Sequence, residues 1–268
     1  MIPRISVIMG IYNCASTLAE ALDSLLAQTY SDFKVIMCDD GSSDKTVQIA
    51  RSYVNSFPEK FILISNPQNM GLNFTLNHCL KYADTEYIAR MDGDDISLPE
   101  RFKSEIEFLD SHPEYAIVSG PMIYFDEEGD FRTGHVHRAE PLKSDFVKGT
   151  PFCHAPCMVR REAYEAVNGY SVDTKLLRVE DYHLWLKMYI AGYRGYRLSF
   201  PIYKMRDNRD ALARRTFRNR LNEVYVKHLC IKQFKLSKLQ YVHLIVPLLK
   251  ACCPNYIARV LRKYILQI

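Results

Sequence analysis

Several features that would assign this chain of 268 residues to a familiar class are missing from it. It has no G-x-G-x-x-G and no G-x-x-x-x-G-K-[ST] stretch, which disfavours dinucleotide oxidoreductases and P-loop kinases. The first apolar segment ends at Ile11 with no small-residue cleavage site after it, so we expect no signal peptide and a cytoplasmic location. The eight cysteines lack framework spacing, and Cys153 and Cys157 around His154 are weak support for zinc without a second cysteine pair.

Acidic residues are scarce in the last quarter of the chain. Residues 204–268 hold 15 Lys and Arg against 3 Asp and Glu, a net charge of +12, whereas residues 1–203 hold 20 against 28, a net charge of −8. A basic tail on an acidic body predicts an anionic partner, either membrane phospholipid or nucleic acid.

The tail also lacks an apolar run long enough to cross a membrane. Residues 242–249 are fewer than the ~18–20 that a spanning helix needs, and Pro247 interrupts them. We predict that residues 206–268 are helical and associate peripherally with anionic lipid on the cytoplasmic face of the plasma membrane, with no nucleic-acid partner. The alternative is a helical hairpin that packs on the rest of the protein. The flanking basic residues are Lys232, Lys235, Lys250, Arg259, Arg262 and Lys263.

The first 120 residues alternate between strand patterns and helix patterns. Strand patterns cover residues 5–9, 33–38, 61–64, 87–91 and 115–119, and helical patterns follow Ser16 as a cap, Asp44, Gly71 and Pro99. This order predicts an α/β fold whose mostly parallel sheet has helices on both faces. Ligands bind beyond the carboxyl ends of such strands, so the polar loops there should form one crevice. Residues 121–205 are interpreted as a smaller mixed region with a turn at residues 128–130.

The strongest chemical signal is the acidic cluster Asp92-Gly93-Asp94-Asp95, directly after a predicted strand. Carboxylates this close repel one another unless a cation or solvent compensates, and a glycine allows a ligand close to the backbone. Hard oxygen ligands suit Mg²⁺ or Mn²⁺, which commonly join carboxylates to substrate phosphates. The alternative is a solvated acidic turn that caps the next helix.

Three other motifs each have a chemical and a structural interpretation. The carboxylates of Asp39-Asp40-Gly41-Ser42 can accept hydrogen bonds from a base or a ribose, or they can cap a helix. Tyr12 offers an aromatic face to a nucleobase, or it packs internally. Glu180-Asp181 begins an apolar helix, where a carboxylate held as an anion can act as a general base or as a cap.

Taken in order, these motifs resemble those of family 2 glycosyltransferases, and the resemblance covers roughly residues 3–205. The segments that carry it are Ser6-Val7-Ile8-Met9, Tyr12-Asn13, Asp39-Asp40-Gly41-Ser42-Ser43-Asp44, Asn69-Met70-Gly71, Asn77, Arg90-Met91-Asp92-Gly93-Asp94-Asp95, Leu98-Pro99-Glu100-Arg101-Phe102 and Glu180-Asp181-Tyr182 with Leu184-Trp185.

The resemblance implies a GT-A fold, with a catalytic domain at residues 1–205, composed of a nucleotide-sugar half (1–120) and an acceptor-side half (121–205). It implies that Asp181 is the catalytic base, that Asp94 binds the metal, Mn²⁺ or Mg²⁺, and that His154 and Glu180 lie on the acceptor side. The residues implied to bind the nucleotide sugar are Gly10, Ile11, Tyr12, Asp39, Asp40, Gly71, Arg90, Asp92 and Gly93. Arg206 stands where many relatives have a histidine; a protonated arginine cannot ligate a metal, but it can neutralise a diphosphate.

By this resemblance the chain is an inverting glycosyltransferase that moves a sugar from a nucleoside-diphosphate sugar, such as a UDP-sugar, to a hydroxyl of a glycan or lipid-linked acceptor. Its relatives build O-antigen, capsule or similar surface polysaccharides. The absence of Q-x-x-R-W and of long apolar spans argues against a processive membrane-embedded synthase. Two alternatives remain open: a metal-dependent sugar nucleotidyltransferase, and a nucleotide-sugar-binding module without catalysis.

Overall fold

The computed structural model describes residues 3–207 and 216–252, with side chains up to Leu249 in the second segment. Part of the predicted basic tail, including Cys253, Pro254, Arg259, Arg262 and Lys263, lies outside the described residues.

Most of the described strands belong to one seven-stranded sheet with the order β10-β6-β9-β4-β1-β2-β3. The strands of the chain are β1 (Ile5–Ile11), β2 (Phe33–Asp39), β3 (Phe61–Ser65), β4 (Tyr87–Arg90), β5 (Ile96–Ser97), β6 (Ile117–Ser119), β7 (Met122–Asp126), β8 (Gly129–Thr133), β9 (Met158–Arg160), β10 (Gly195–Arg197) and β11 (Tyr203–Arg206). Within this sheet β9 runs antiparallel to β4 and β6, whereas the other neighbours are parallel. The prediction of a mostly parallel sheet is confirmed.

Helices cover both faces of this sheet, as predicted. The α-helices are α1 (Leu18–Leu26), α2 (Thr46–Ser56), α3 (Leu72–Leu80), α4 (Arg101–Ser111), α5 (Arg161–Ala166), α6 (Glu180–Ile190), α7 (Phe217–Gln233) and α8 (Ile245–Cys252). The apolar sides of α1, α2 and α4 form one core cluster with the sheet. Those of α3, α5, α6 and α7 form a second cluster on the opposite face.

The start of α1 differs from the prediction. The helix begins at Leu18 with Thr17 as its N-cap residue, and no side chain caps it, so Ser16 is not the cap. The Thr17 hydroxyl instead donates to the Gly93 carbonyl at 2.8 Å. Because this bond joins two segments distant in sequence, local capping preferences do not reveal it.

A second, four-stranded sheet, in the order β5-β11-β7-β8, was not predicted. The two-residue strand β5 follows the acidic cluster and pairs antiparallel with β11, as in Tyr203 with Ser97. The turn predicted at residues 128–130 is where β8 begins after its hairpin with β7. Strands this short show no readable periodicity, yet they bring the end of β11 to the acidic cluster.

Beyond β11, the described tail has a packed part and an exposed part. Helix α7 buries Val226 and Cys230 in the second core cluster. A 3-10 helix (Lys238–Leu244) and α8 follow, with several large apolar side chains exposed. None of the helices in the described segments is long and apolar enough to span a membrane.

Candidate active site

The loops that follow β1 and β2 hold each other in place at the carboxyl edge of the main sheet. The Asn13 side-chain oxygen accepts from the Ser43 N–H at 2.9 Å, and the Ser42 hydroxyl accepts from the Asn13 N–H at 3.0 Å. Asn13 has a left-handed backbone with φ of 47°, which asparagine tolerates better than most residues. Next to this linked pair of loops, Tyr12 is 49% exposed, so its ring is available to a nucleobase.

The two acids at the end of β2 are buried and bind backbone. The Asp40 carboxylate accepts from the Met70 and Gly71 N–H groups at 2.8 and 2.9 Å and from the Asn66 amide at 2.8 Å. The Asp39 carboxylate accepts from the Gly41 N–H at 3.2 Å. Asp40 therefore fixes the loop after β3 against β2. A direct contact of either acid with the donor stays a prediction.

Three of the predicted donor-site residues support the loops rather than offer a side chain to a ligand. A Cβ on Gly93 would lie 2.8 Å from the Cys14 sulfur, and one on Gly10 would lie 3.2 Å from the Thr75 methyl. The side chain of Ile11 is buried in the core, and its carbonyl accepts from the Asp40 N–H at 2.9 Å. The glycines thus allow the loops to approach one another closely, and Ile11 supports them from below.

Asp92, Asp94 and Asp95 form a cluster in which one carboxylate oxygen from each residue lies within 4.8 Å of one from each of the others. Asp92 is held by both terminal nitrogens of the buried Arg90, and Asp95 accepts from the Arg206 N–H at 2.8 Å. Asp94 is exposed, and within the described part of the chain no side chain donates a hydrogen bond to its carboxylate. It is therefore the member of the cluster most available to an external cation.

The electrostatics of the cluster favour a bound cation. Loss of solvent, and then the charge of Asp92, raise the pKa of Asp94. Burial raises the pKa of Asp95 well above its ordinary value, and the charges of Asp92 and Asp94 add to this shift. A divalent ion would relieve this repulsion, and three carboxylates are the hard oxygen donors that Mg²⁺ and Mn²⁺ prefer. The residues present thus fit such an ion.

Buried arginines support the cluster from beneath. Arg101, fully buried on α4, forms an ion pair with Glu105 at 3.0 Å and donates to the carbonyls of Arg90 and Ala155 at 2.9 and 3.2 Å. Burial raises the pKa of Glu105 to about 7, although the Arg101 charge lowers it. Arg101 thereby connects the end of β4, two residues before Asp92, to the loop that carries His154.

Asp181 lies in the first turn of α6 and is half-buried. The N-cap residue of this helix is Val179 rather than Asp181, although hydrogen bonding from the Tyr182 N–H in the first turn lowers the pKa of Asp181. Burial, and then the charge of Glu180, raise the pKa of Asp181 to about 7. A carboxylate with a pKa near the working pH is well suited to general-base catalysis.

Asp181 and the acidic cluster share neighbours. The Arg90 guanidinium, which binds Asp92, lowers the pKa of Asp181 and of Asp95 through its charge, but less than burial raises them. The Cys153 thiol lies within electrostatic range of Asp181 and Asp95, and burial raises its pKa to about 12. Asp181 and Asp95 therefore both lie within electrostatic range of Arg90 and Cys153.

The three predicted acceptor-side residues differ in their surroundings. His154 is buried, its Nε2 lies 2.6 Å from the Tyr170 hydroxyl, and burial followed by the Arg90 charge holds its pKa well below the usual range. Glu180 is half-buried, and its Oε2 has no hydrogen-bond partner among the described residues. The Arg206 guanidinium pairs with Glu20 on α1 and donates to the Asp94 carbonyl at 2.9 Å. Arg206 thus lies at the cluster but is already engaged.

Three residues of the site were assigned no role from the sequence. Arg101 belongs to a motif that was noted but not interpreted. Tyr203, whose hydroxyl accepts from the Asp92 N–H at 3.3 Å, gave no signal because its partner lies 111 residues away. Tyr170, which binds His154, was likewise not predicted.

Comparisons with known proteins agree with this geometry. The family model "Glycosyl transferase family 2" matches residues 6–167, and "Glycosyl transferase family group 2" matches residues 87–252. The chain belongs to the family 2 glycosyltransferases and is a transferase enzyme. The interpretations as a nucleotidyltransferase and as a module without catalysis are therefore set aside.

Two curated relatives illustrate the range of the family. EpsE of Bacillus subtilis, which is named as a glycosyltransferase, is 40% identical to this chain over 262 residues, and the match covers 98% of this chain and 93% of EpsE. The amylovoran biosynthesis glycosyltransferase AmsE of Erwinia amylovora is 29% identical, covering 85% of this chain and 86% of AmsE.

Solved structures confirm the GT-A fold. TarS of S. aureus in complex with UDP-GlcNAc aligns with a TM-score of 0.69 and 21% identity, covering 93% of this chain and 71% of that one. The mannosyltransferase PcManGT of Pyrobaculum calidifontis in complex with GDP-Man and Mn²⁺ aligns with a TM-score of 0.65 and 19% identity, covering 99% and 81%.

Proposed function

We propose that this glycosyltransferase moves a sugar from a nucleoside-diphosphate sugar, such as a UDP-sugar, to a hydroxyl of a glycan or lipid-linked acceptor, with inversion at the anomeric carbon. The observation that carries the proposal is the acidic cluster together with Asp181, whose pKa lies near 7 and which shares Arg90 and Cys153 as electrostatic neighbours with the cluster. The acidic cluster is suited to a donor diphosphate and Asp181 to proton removal from an acceptor. The relatives TarS and PcManGT, which were solved with UDP-GlcNAc and with GDP-Man and Mn²⁺, support a nucleotide-sugar donor.

On the donor side, the loops after β1, β2 and β3 form the nucleotide pocket. Tyr12 contributes an exposed ring for the base, and Asp40 holds the Met70–Gly71 backbone that closes the pocket. Asp94, with Asp92 and Asp95 beside it, would hold Mn²⁺ or Mg²⁺, an ion that neutralises the diphosphate as it leaves. Arg90 keeps Asp92 in place, so that the cluster is ordered before the donor arrives.

On the acceptor side, Asp181 removes the proton of the attacking hydroxyl. General-base assistance of this kind contributes about 10²–10⁴-fold in rate. Because the hydroxyl attacks the anomeric carbon directly, the reaction is a single displacement, and no protein nucleophile is required. Glu180 and His154 border the same side and position the acceptor.

The names of two relatives and the charge of the tail support a proposal for the acceptor and the cellular location. AmsE is named for amylovoran biosynthesis, and WfaP of Escherichia coli is named as a glucosyltransferase acting on a diphosphoundecaprenol-linked GlcNAc. We infer a role in surface polysaccharide biosynthesis, with residues 1–205 as the catalytic domain and residues 206–268 as a region that places it peripherally on the cytoplasmic face of the membrane, against anionic lipid.

The test is a donor screen with released nucleoside diphosphate as the readout, in the presence of a lipid-linked glycan acceptor. Release of nucleoside diphosphate that depends on the acceptor is expected, and release of pyrophosphate instead would refute glycosyl transfer. The anomeric coupling constant of the product, measured by NMR, tests inversion: a β-linked product from an α-linked donor is expected, and an α-linked product contradicts it.

A further inference from the structure

The end of α7 and the two short helices after it form a surface that the catalytic crevice does not use. We propose that this C-terminal docking surface binds the phosphate headgroups of anionic lipids at a bilayer, with Lys232, Lys235 and Lys238 as the headgroup-binding residues and an adjacent apolar strip that enters the membrane interface. The proposal deepens the membrane location proposed above and rests on it, but it does not depend on sugar transfer.

The three lysines converge on one cavity. A cavity of about 500 Å³ lies at the end of α7 and is lined by Ile231, Lys232, Lys235, Leu236, Lys238 and Tyr241. No ion pair joins any of the three lysines to a residue within 3–207 or 216–252. The sequence contains no Asp or Glu side chain after Glu223. The cavity therefore attracts an external anion.

The end of α7 is built to place these lysines together. Lys235 has a left-handed backbone with φ of 53°, a position where helices usually carry glycine. The Leu236 N–H donates to the Ile231 carbonyl at 3.0 Å and the Lys235 N–H to the Lys232 carbonyl at 3.3 Å, which reverses the chain within two residues. This reversal brings Lys238, the first residue of the 3-10 helix, back to the cavity that Lys232 lines.

An apolar strip lies next to the lysine cavity. Leu239, Val242, Ile245 and Leu249 are 83%, 59%, 50% and 65% exposed. Their spacing of three, three and four residues places them on one side of consecutive helical turns. Exposed apolar side chains grouped in this way mark an interaction surface rather than ordinary surface variation.

Of the surfaces that could cover the strip, an anionic bilayer matches both the exposed apolar side chains and the lysines beside them. Short amphipathic segments bury their apolar side at the boundary between headgroups and acyl chains, and basic residues beside them bind anionic headgroups. A second copy of the chain would cover the strip but would bring two tails of net charge +12 together. Self-association is therefore opposed by charge repulsion, whereas a bilayer rich in anionic lipid is favoured.

The test measures sedimentation of the full chain with vesicles of phosphatidylglycerol and phosphatidylcholine, and with vesicles of phosphatidylcholine alone. The variant Lys232→Gln/Lys235→Gln/Lys238→Gln is compared with Arg51→Gln/Lys81→Gln/Lys103→Gln, which removes the same charge from exposed sites elsewhere. Since each basic residue near an anionic surface contributes about fivefold to binding, the first variant should bind roughly 100-fold more weakly, and the second should bind like the wild type. Leu239→Ser/Leu249→Ser should also weaken binding, and thermal melting checks that every variant is folded.

Three results would overturn the proposal. One is equal vesicle binding by the two charge variants. Another is binding of the wild type to vesicles of phosphatidylcholine alone as tightly as to vesicles that contain phosphatidylglycerol, which would show that anionic headgroups contribute nothing. A third is a concentration-dependent dimer in light scattering that Leu239→Ser/Leu249→Ser dissociates. Sugar transfer to a soluble acceptor, measured in parallel, separates the proposals, because it should survive in the lysine variant even when vesicle binding is lost.

Discussion

Replacing Asp181 with asparagine removes the anion that we propose as the general base while keeping the size of the side chain. Asp181 is not the N-cap residue of α6, and the amide oxygen of asparagine can still accept a hydrogen bond from the Tyr182 N–H in the first turn. The Thr150 hydroxyl, 3.5 Å from the Asp181 carboxylate, can still donate to an amide oxygen. We therefore expect a folded protein in which kcat for transfer falls by about 10²–10⁴-fold, with little change in the donor KM.

The pKa of Asp181 also sets the pH dependence of the wild type. With a pKa of about 7, about a tenth of the protein carries the ionised base at pH 6, whereas an aspartate with an ordinary pKa would be almost fully ionised there. Transfer should therefore rise roughly tenfold per pH unit below the midpoint and level off above it. Glu180 provides a control: its charge helps to raise the pKa of Asp181, so Glu180→Gln should move the midpoint to lower pH.

The same pKa predicts an effect on stability. In the unfolded chain Asp181 ionises near its ordinary value of 3.8, whereas in the folded protein it stays protonated until about pH 7. The free energy of unfolding should fall as the pH rises between these values, because the folded state binds the extra proton. The full shift corresponds to roughly 4 kcal/mol, which is an upper limit because the side chain keeps some solvent contact. Asp181→Asn should therefore be more stable than the wild type at pH 8, by on the order of 1–3 kcal/mol.

The assay measures transfer by released nucleoside diphosphate from pH 5.5 to 8.5, and stability by urea denaturation at pH 5 and pH 8. A folded Asp181→Asn protein with near-wild-type kcat would refute the role of Asp181 as base. A wild-type profile that is flat between pH 5.5 and 8.5 would refute the pKa on which the reasoning depends.

Three further predictions concern the donor side. EDTA should abolish transfer and Mn²⁺ or Mg²⁺ should restore it, and Asp94→Ala should lose donor binding by calorimetry; full activity in EDTA contradicts the metal site. Gly93→Ala should lower stability by about 1–3 kcal/mol and reduce transfer, because the added methyl group has no room. Gly149→Ala is the control: its methyl group would have no other atom within 4 Å, so this variant should match the wild type in both assays. Arg101→Leu should destabilise the fold by about 3–5 kcal/mol in urea denaturation, because it leaves Glu105 buried without its partner. The double variant Arg101→Leu/Glu105→Leu should recover most of that loss. An unchanged urea midpoint for the single variant would argue against the buried pair.

Much of the fold and the identity of the site could be predicted from the sequence, because both depend on local patterns. The strands β1 to β4 are apolar runs bounded by turns, and each ends in a polar loop, so the parallel sheet and the edge that carries the candidate site follow from periodicity and general packing rules. The three aspartates of the cluster are adjacent in sequence, and a cluster of this kind needs no tertiary contact to be recognised.

The tertiary structure decided what connects these parts. Arg206 reaches Asp95, Arg101 reaches the carbonyl of Ala155, and Tyr203 reaches the backbone of Asp92, each across a long stretch of chain. The pKa of Asp181 is another example, since its rise comes from burial by residues that the local sequence does not specify. Sequence patterns report which side chains are near one another along the chain and which face they share. Desolvation and contacts between distant segments exist only once the sheet, its helices and the second sheet have come together.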